Sequence, residues 1–442
     1  MSAAEASLST RVAALPVTGW RWASAFVLAF VALWPVPGYA EGVLALGALV
    51  AIVRLLVVRV RGHARLLSGP AWALSSALFA AYWAPELFSA PGAVDMGRAL
   101  RESLVDLRYL PFLWLVAAAV TTPRGRRVTF GGLALIVAAW TLDAVIQAGF
   151  GTSPLFWSLD QLKWQVSGQG MCAASDVAAA DRLSGVLGPC NAKLGLVMAS
   201  MSPFLLIAAA RRFGIAGWLL ATAAVGLVVL LGGARAGWIT FALVALCTGW
   251  QLLGFKRLAL VAVVGVLAAA ATAMVSPPLQ QRLVRTTAAM SGDEAGMDSA
   301  LSGRARIWQA AGCMVAGSPV NGVGVRGFRE AFAGCDPLPQ RAPEWGEGPA
   351  LHAHQLVLEI LSETGFLGLL LWIAGAALAI RAWRYAEPGA REQARPAMLA
   401  LAVTVFPLNT HLAFYSTFWG GLALLLTALY VGSLLGVQDG EG

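Results

Sequence analysis

Three short stretches of this chain combine residue types that could hold a phosphate and move a proton. Gly232-Gly233-Ala234-Arg235-Ala236-Gly237-Trp238 surrounds one arginine with small residues. That leaves its guanidinium uncovered, a fixed fork of donors suited to phosphate oxygens; the plain alternative is an interfacial arginine reaching for headgroups. In Ser302-Gly303-Arg304-Ala305-Arg306-Ile307-Trp308, the apolar Ile307, Ala310, Ala311 and Met314 recur at helical spacing. The spacing predicts an amphipathic helix lying at a membrane surface. Ser302 is its candidate N-cap, and Arg304 stands near a helix start where backbone N–H groups also favour anions. A solvated charged face is the competing reading. The third stretch is His352-Ala353-His354-Gln355. A neutral imidazole, with an unperturbed pKa of about 6.5, can take a proton from a hydroxyl near neutral pH, although a histidine there is otherwise a capping residue. Asp143 and Gln147 lie four apart inside an apolar run, where polar groups are costly. Arg182 and Asn191 flank the entrance to another, and Arg329 lies downstream of Arg306.

The elements that must position these residues are apolar. Of 442 residues, 58% are hydrophobic and 12% charged, against roughly a quarter charged in soluble domains, so the fold class is an all-α polytopic membrane protein. The net charge of +8 sits in short blocks between apolar runs, which is how orientation signals are distributed, and argues against nucleic acid as partner. A span needs about 20 apolar residues, and twelve runs qualify or nearly so: Trp20–Val36, Gly42–Val58, Pro70–Phe88, Tyr109–Val120, Gly131–Phe150, Asn191–Ala209, Gly214–Leu231, Trp238–Leu253, Leu258–Val275, Gln355–Ile380, Pro396–Leu408 and Ser416–Leu435. The polar start shows no cleavable-signal pattern, so the first run is expected to remain as an anchor.

Basic residues then set the topology. Arg59, Arg61 and Arg65; Arg124, Arg126 and Arg127; Arg211 and Arg212; Lys256 and Arg257; and Arg381, Arg384, Arg391 and Arg395 fall in every second connection. The positive-inside rule makes that side cytoplasmic. The expected organisation is a cytoplasmic tail over 1–19, spans one to nine over 20–275, an external loop region over 276–351 with short amphipathic helices, spans ten to twelve over 352–436, and a cytoplasmic tail over 437–442. The long loop's seven arginines do not disturb this, because loops beyond about 60 residues translocate largely regardless of charge. Cys172 and Cys190 share one external loop and Cys313 and Cys335 another, so each pair is a candidate disulfide in an oxidising compartment. Neither pair has zinc-ligand spacing, and no metal or cofactor is expected. His411 lies in an external turn and His63 on the cytoplasmic side.

Together these motifs resemble the bacterial O-antigen ligase / O-antigen polymerase superfamily. The resemblance runs over about Asp143 to Gly368. It rests on Arg182-Leu-Ser-Gly-Val-Leu-Gly-Pro-Cys-Asn191, the small-Arg-small turn at Arg235, Ser302-Gly303-Arg304 with Trp308, Gly322-Val-Gly324-Val-Arg-Gly-Phe328, and His354-Gln355 followed by Glu363-Thr-Gly365. The family usually has Asn where this chain has Gln355.

The resemblance implies a membrane glycosyltransferase of the Gram-negative inner membrane. Its donor would be a glycan on undecaprenyl diphosphate, used at the periplasmic face. Arg235 and Arg304 would clamp the leaving diphosphate, where soluble enzymes often use a metal held by Asp-x-Asp, a motif absent here. His354 would be the general base, acting with inversion. Arg306, Arg329, Asp143, Gln147, Arg182, Asn191 and His352 would bind or orient substrate. An O-antigen ligase, attaching the glycan to a lipid A–core sugar, is the favoured member. The arginine-rich loop, with Arg98, Arg101 and Arg108, suits a phosphorylated acceptor. An O-antigen polymerase would use the same parts on another lipid-linked chain. A protein O-oligosaccharyltransferase usually carries a further C-terminal region, whereas the last apolar run here stops within a few residues of the end. A glycolipid transporter is disfavoured: the spans show few charges and no repeat, and the candidate residues gather at one interface.

Overall fold

The computed structural model describes residues 20–36, 38–61, 65–172, 182–287, 301, 303–343, 345, 348–407 and 413–437. The expectations placed on Ser302, His63 and His411, and on both terminal tails, lie outside the described residues. Fifteen α-helices are present among those described: α1 (Ala23–Ala32), α2 (Tyr39–Arg61), α3 (Gly69–Ser89), α4 (Met96–Asp106), α5 (Tyr109–Ala119), α6 (Pro123–Phe150), α7 (Pro154–Ser167), α8 (Leu194–Leu231), α9 (Arg235–Val275), α10 (Pro277–Thr287), α11 (Arg304–Gly317), α12 (Phe328–Cys335), α13 (Leu356–Tyr385), α14 (Pro388–Thr404) and α15 (Thr417–Leu434). The protein is a polytopic α-helical membrane protein. By length and composition six described helices can cross a bilayer: α2 over Tyr39–Val58, α6, α8, α9, α13 and α15.

Two of these six fold back on themselves. α8 leaves helical geometry at Gly214 (φ 63°, ψ −148°) and α9 at Gly254 (φ 69°, ψ 173°). A straight helix would put Gly195 and Gly232 about 55 Å apart. Instead a Cβ on Gly195 would sit 3.6 Å from the Gly232 Cα and 3.3 Å from the Val229 carbonyl oxygen, so the two arms of α8 lie side by side. In α9 a Cβ on Gly249 would meet Leu258 Cδ1 at 2.8 Å, a contact that an unbroken helix forbids. Only glycine adopts these left-handed angles without strain. The breaks fall between the runs expected as spans six and seven, and eight and nine.

Of the remaining apolar runs, the third is matched by α3 over its whole length, and the others are shorter helices than drawn or begin elsewhere. α1 has 10 residues and α5 11, and α14 starts at Pro388, before the expected Pro396. α15 is enclosed by the bundle, packing on α5, α14 and α3, while α9 presents most of its surface outward, consistent with lipid contact. Glycine permits the closest approach at the centre: a Cβ on Gly432 would fall 2.2 Å from the Ala117 carbonyl oxygen.

Between α9 and α13, helices α11 and α12 build a small core of their own. Ile307, Ala310, Ala311 and Met314 pack with Val323, Phe328, Phe332 and Ala353. The helix α11 is amphipathic as its spacing predicts, but its apolar face is covered by protein, where a membrane surface was expected. Its N-cap is Gly303, at φ 75°. The Cys313–Cys335 disulfide joins α11 to the end of α12, and Cys172–Cys190 closes the segment ahead of α8, each with Cα atoms 5.6 Å apart.

Candidate active site

Arg235 is the first residue of α9, set after a turn made of Gly232 and Gly233 (φ 67°). The small residues of that turn have a packing reason: a Cβ on Gly237 would meet the Gly195 carbonyl at 3.4 Å. The turn thus rests on the start of α8 and brings Arg235 to the segment holding Asn191 and Lys193. Arg182 enters from the same side, where the Leu183 N–H donates to the Leu231 carbonyl (3.2 Å). Two apparently separate motifs, the glycine-rich stretch ending in Asn191 and the small-Arg-small turn, are one place in the fold.

Arg304 is the first residue of α11 and is half-buried. Burial, and then the charges of Arg235 and Arg182, lower its guanidinium pKa to about 10. Three guanidiniums from three segments thus stand close enough to act on one another. His354 completes the group: burial first, and then the Arg304 charge, push its imidazole down to about 4. Its ring lies beside His352, centroids 3.9 Å apart.

The backbone of His354 is held in an uncommon conformation, φ 53°, which costs a non-glycine residue of order 1 kcal/mol or more and persists only where neighbours fix it. They do. Trp308 on α11 donates its indole N–H to the Ala353 carbonyl (3.1 Å), and Ala353 is fully buried. Gln355 caps α13, its Oε1 accepting from the Leu358 N–H (2.6 Å) while its Nε2 donates to the Pro407 carbonyl (2.8 Å). Glutamine thus closes the helix N-terminus.

The Gly322–Phe328 motif supports this arrangement from below. α13 breaks at Gly365 (φ 66°, ψ −168°), and the loop from 318 to 328 fills the break. The Phe366 and Leu367 N–H groups donate to the Pro319 and Val320 carbonyls, and the Val323 and Gly324 N–H groups donate to the Ser362 and Glu363 carbonyls, at 2.8–3.1 Å. A Cβ on Gly322 would sit 2.4 Å from the Glu363 carbonyl carbon, and one on Gly365 2.2 Å from the Val320 oxygen. Non-helical backbone at membrane depth is tolerated where protein satisfies it in this way.

Other expected site residues make bonds within the protein. Arg306 turns its fork into the loop, bonding Asp336 bidentately (2.7 and 2.6 Å) and the carbonyls of Leu338 and Arg341 (both 2.8 Å). That pairing holds the Asp336 carboxyl below the usual carboxylate range. Asp143 accepts from Ser153 Oγ (2.6 Å) and the Leu155 N–H (2.8 Å) at the start of α7. Gln147 accepts from the Gly185 N–H (2.6 Å) and donates to Ser184 Oγ (3.3 Å), fixing the stretch that carries Arg182. Asn191 accepts from the Lys193 N–H at 3.3 Å. Arg329 lies nearer Arg98, Arg326 and Glu330, and its pKa is lowered by burial and by the first two.

Sequence reading missed Lys193, Arg326 and the buried carboxyls. Lys193 lies over the Phe418 ring, Nζ 4.3 Å from its centroid, within reach of the Arg326 charge. Arg326 takes φ 62°, and its N–H donates to Glu363 Oε2 (2.9 Å). Glu86, Glu359 and Glu363 are each at most 2% exposed, so the helices hold more buried carboxyl groups than the hydropathy suggested. Lys193 had one signal, as one of three lysines in the chain placed two residues after Asn191, and Arg326 had its place inside a glycine motif.

A family model described as O-antigen ligase matches residues 219–373. The match contains Arg235, Arg304, Trp308, Gly322, Gly324, His354 and Gly365, and it ends before α14. No curated protein matches the chain.

Proposed function

We propose, from the premise that the O-antigen ligase domain places this chain in the O-antigen ligase/polymerase superfamily, that it is an O-antigen ligase. In this reading it moves a glycan from undecaprenyl diphosphate to a lipid A–core hydroxyl at the periplasmic face of a Gram-negative inner membrane. The observation that carries the reading is the convergence of Arg182 and Arg235 on Arg304, which stands beside the half-buried His354. Three guanidiniums drawn from three distant segments match a leaving diphosphate, whose charge grows as the glycosidic bond breaks.

The step balances as follows. A His354 ring nitrogen takes the acceptor hydroxyl proton, and the freed oxygen attacks the anomeric carbon from the face opposite the diphosphate. The new glycosidic bond forms with inversion, the C–O bond to phosphate breaks, and its electron pair leaves on the diphosphate held by Arg235 and Arg304. Before the donor binds, His354 is a weak base, first because of its burial and then because Arg304 stands beside it. A bound diphosphate screens that cation, so donor binding raises the basicity of His354 when it is needed. Lys193 and Arg326 extend the cationic surface toward the acceptor. Arg306, Asp143 and Gln147 hold the elements that present the site.

A polymerase would use the same parts, and the product separates the two. The full chain, reconstituted in liposomes with lipid-linked glycan and lipid A–core, should build glycan on lipid A–core without added nucleotide. Longer diphosphate-linked chains, with lipid A–core unmodified, would instead establish the polymerase. Movement of intact glycolipid across the bilayer with no new bond would establish a transporter.

A further inference from the structure

Two hollows lie at the end of the bundle opposite His354, on either face of α14. One, of about 700 Å³, is walled by α9, the end of α13 and α14, and includes Leu246, Trp250, Trp383, Arg391 and Arg395. The other, of about 500 Å³, lies between α6, α8 and α14 and includes Arg126, Arg127, Phe130 and Arg211. Five arginines and one carboxylate, Glu392, line the pair.

Most of these cations are fixed by neutral groups, so their charge is retained. Arg391 donates to the Ala386 (2.9 Å) and Arg384 (2.6 Å) carbonyls, closing the C-terminus of α13. Arg395 donates to the Cys247 carbonyl (3.0 Å) and to Gln251 Oε1. Glu392 is shared between Arg211 at 2.8 Å and Arg395 at 3.8 Å. The larger hollow continues into an outward apolar wall, with Leu246 and Trp250 each about half exposed.

We propose that the larger hollow is a binding site for an anionic glycerophospholipid. Its phosphate would lie against Arg391 and Arg395, and its acyl chains along Leu246 and Trp250. Rigid guanidiniums at the mouth of an apolar cleft between helices fit such a headgroup better than they fit a soluble anion, which would leave that wall uncovered. The basic connections of the chain cluster at this end, the side that the positive-inside rule gives to the anionic inner leaflet. The proposal rests on membrane embedding and not on the transferase reading, so either can fail alone.

The test uses the full chain, purified in detergent and stripped of lipid, with bound lipid counted by native mass spectrometry. Cardiolipin and phosphatidylglycerol should be retained roughly tenfold or more over phosphatidylethanolamine. Leu246→Trp, which fills the acyl wall without touching a charge, and Arg395→Gln should each abolish that preference. Leu246→Trp keeps the test decisive if the arginine variant misfolds. Equal retention of phosphatidylethanolamine, an unchanged preference in folded Leu246→Trp, or displacement of lipid by millimolar inorganic phosphate would overturn the proposal.

Discussion

The indole N–H of Trp308 meets the Ala353 carbonyl at 3.1 Å, so one hydrogen bond ties the helix that begins at Arg304 to the residue before His354. Replacing Trp308 with Phe keeps most of the ring and leaves that carbonyl without its donor. A net loss of about 1 kcal/mol is expected, read as a roughly fivefold fall in kcat with donor KM little changed. Steady-state transfer assays on Trp308→Phe and Trp308→Tyr check this; an unchanged kcat in both removes Trp308 as a positioning residue.

Arg304 and Arg235 should not tolerate lysine. A lysine keeps the charge but loses the planar fork that grips two phosphate oxygens. Arg304→Lys is expected to lower kcat by about 10²–10³, the cost of removing one donor from a preorganised charge-stabilising site. Retention of more than a third of native turnover would place the diphosphate elsewhere.

The pH dependence follows from the direction of the His354 shift. The base works when neutral, and its pKa in the empty site is lowered to about 4 by burial and by Arg304. The acid limb of kcat/KM, which reports the free enzyme, should therefore lie near 4, with little change from pH 6 to 8. The limb of kcat should lie higher, because bound diphosphate screens Arg304. Arg304→Gln should move the free-enzyme limb upward. A limb that stays put in that variant would mean that Arg304 does not act on His354.

Gly322 and Gly365 interlock two backbones, and neither has room for a side chain. Gly322→Ala combines a left-handed φ of 70° with a Cβ 2.4 Å from the Glu363 carbonyl carbon. Backbone strain alone costs roughly 1–3 kcal/mol. The midpoint of thermal unfolding in detergent should drop by several degrees, with transfer lost in parallel; an unshifted midpoint would mean that the loop does not seat in the α13 break.

The sequence showed the membrane class, the order of the apolar runs and the three stretches that meet at His354, because hydropathy and small residues around a cation are local signals. It did not show which arginines face inward. Arg304 and Arg306 sit two apart on one helix, and only the fold reveals that Arg306 is spent on Asp336 and two loop carbonyls. Asp143 and Gln147 stand out as costly polar groups in an apolar run. Their partners, Ser153, Leu155, Ser184 and Gly185, lie too far along the chain for spacing to reveal. Glu363 is legible only as part of a motif with Gly365, and its burial shows only once the loop from 318 to 328 closes over it.

The most direct test of the account is His354→Ala in the reconstituted transfer reaction. Turnover should fall by about 10²–10⁴-fold, the usual cost of losing a general base, while the folded protein still binds lipid diphosphate through Arg235 and Arg304. Near-native turnover in that variant would contradict the central claim that His354 takes the acceptor proton.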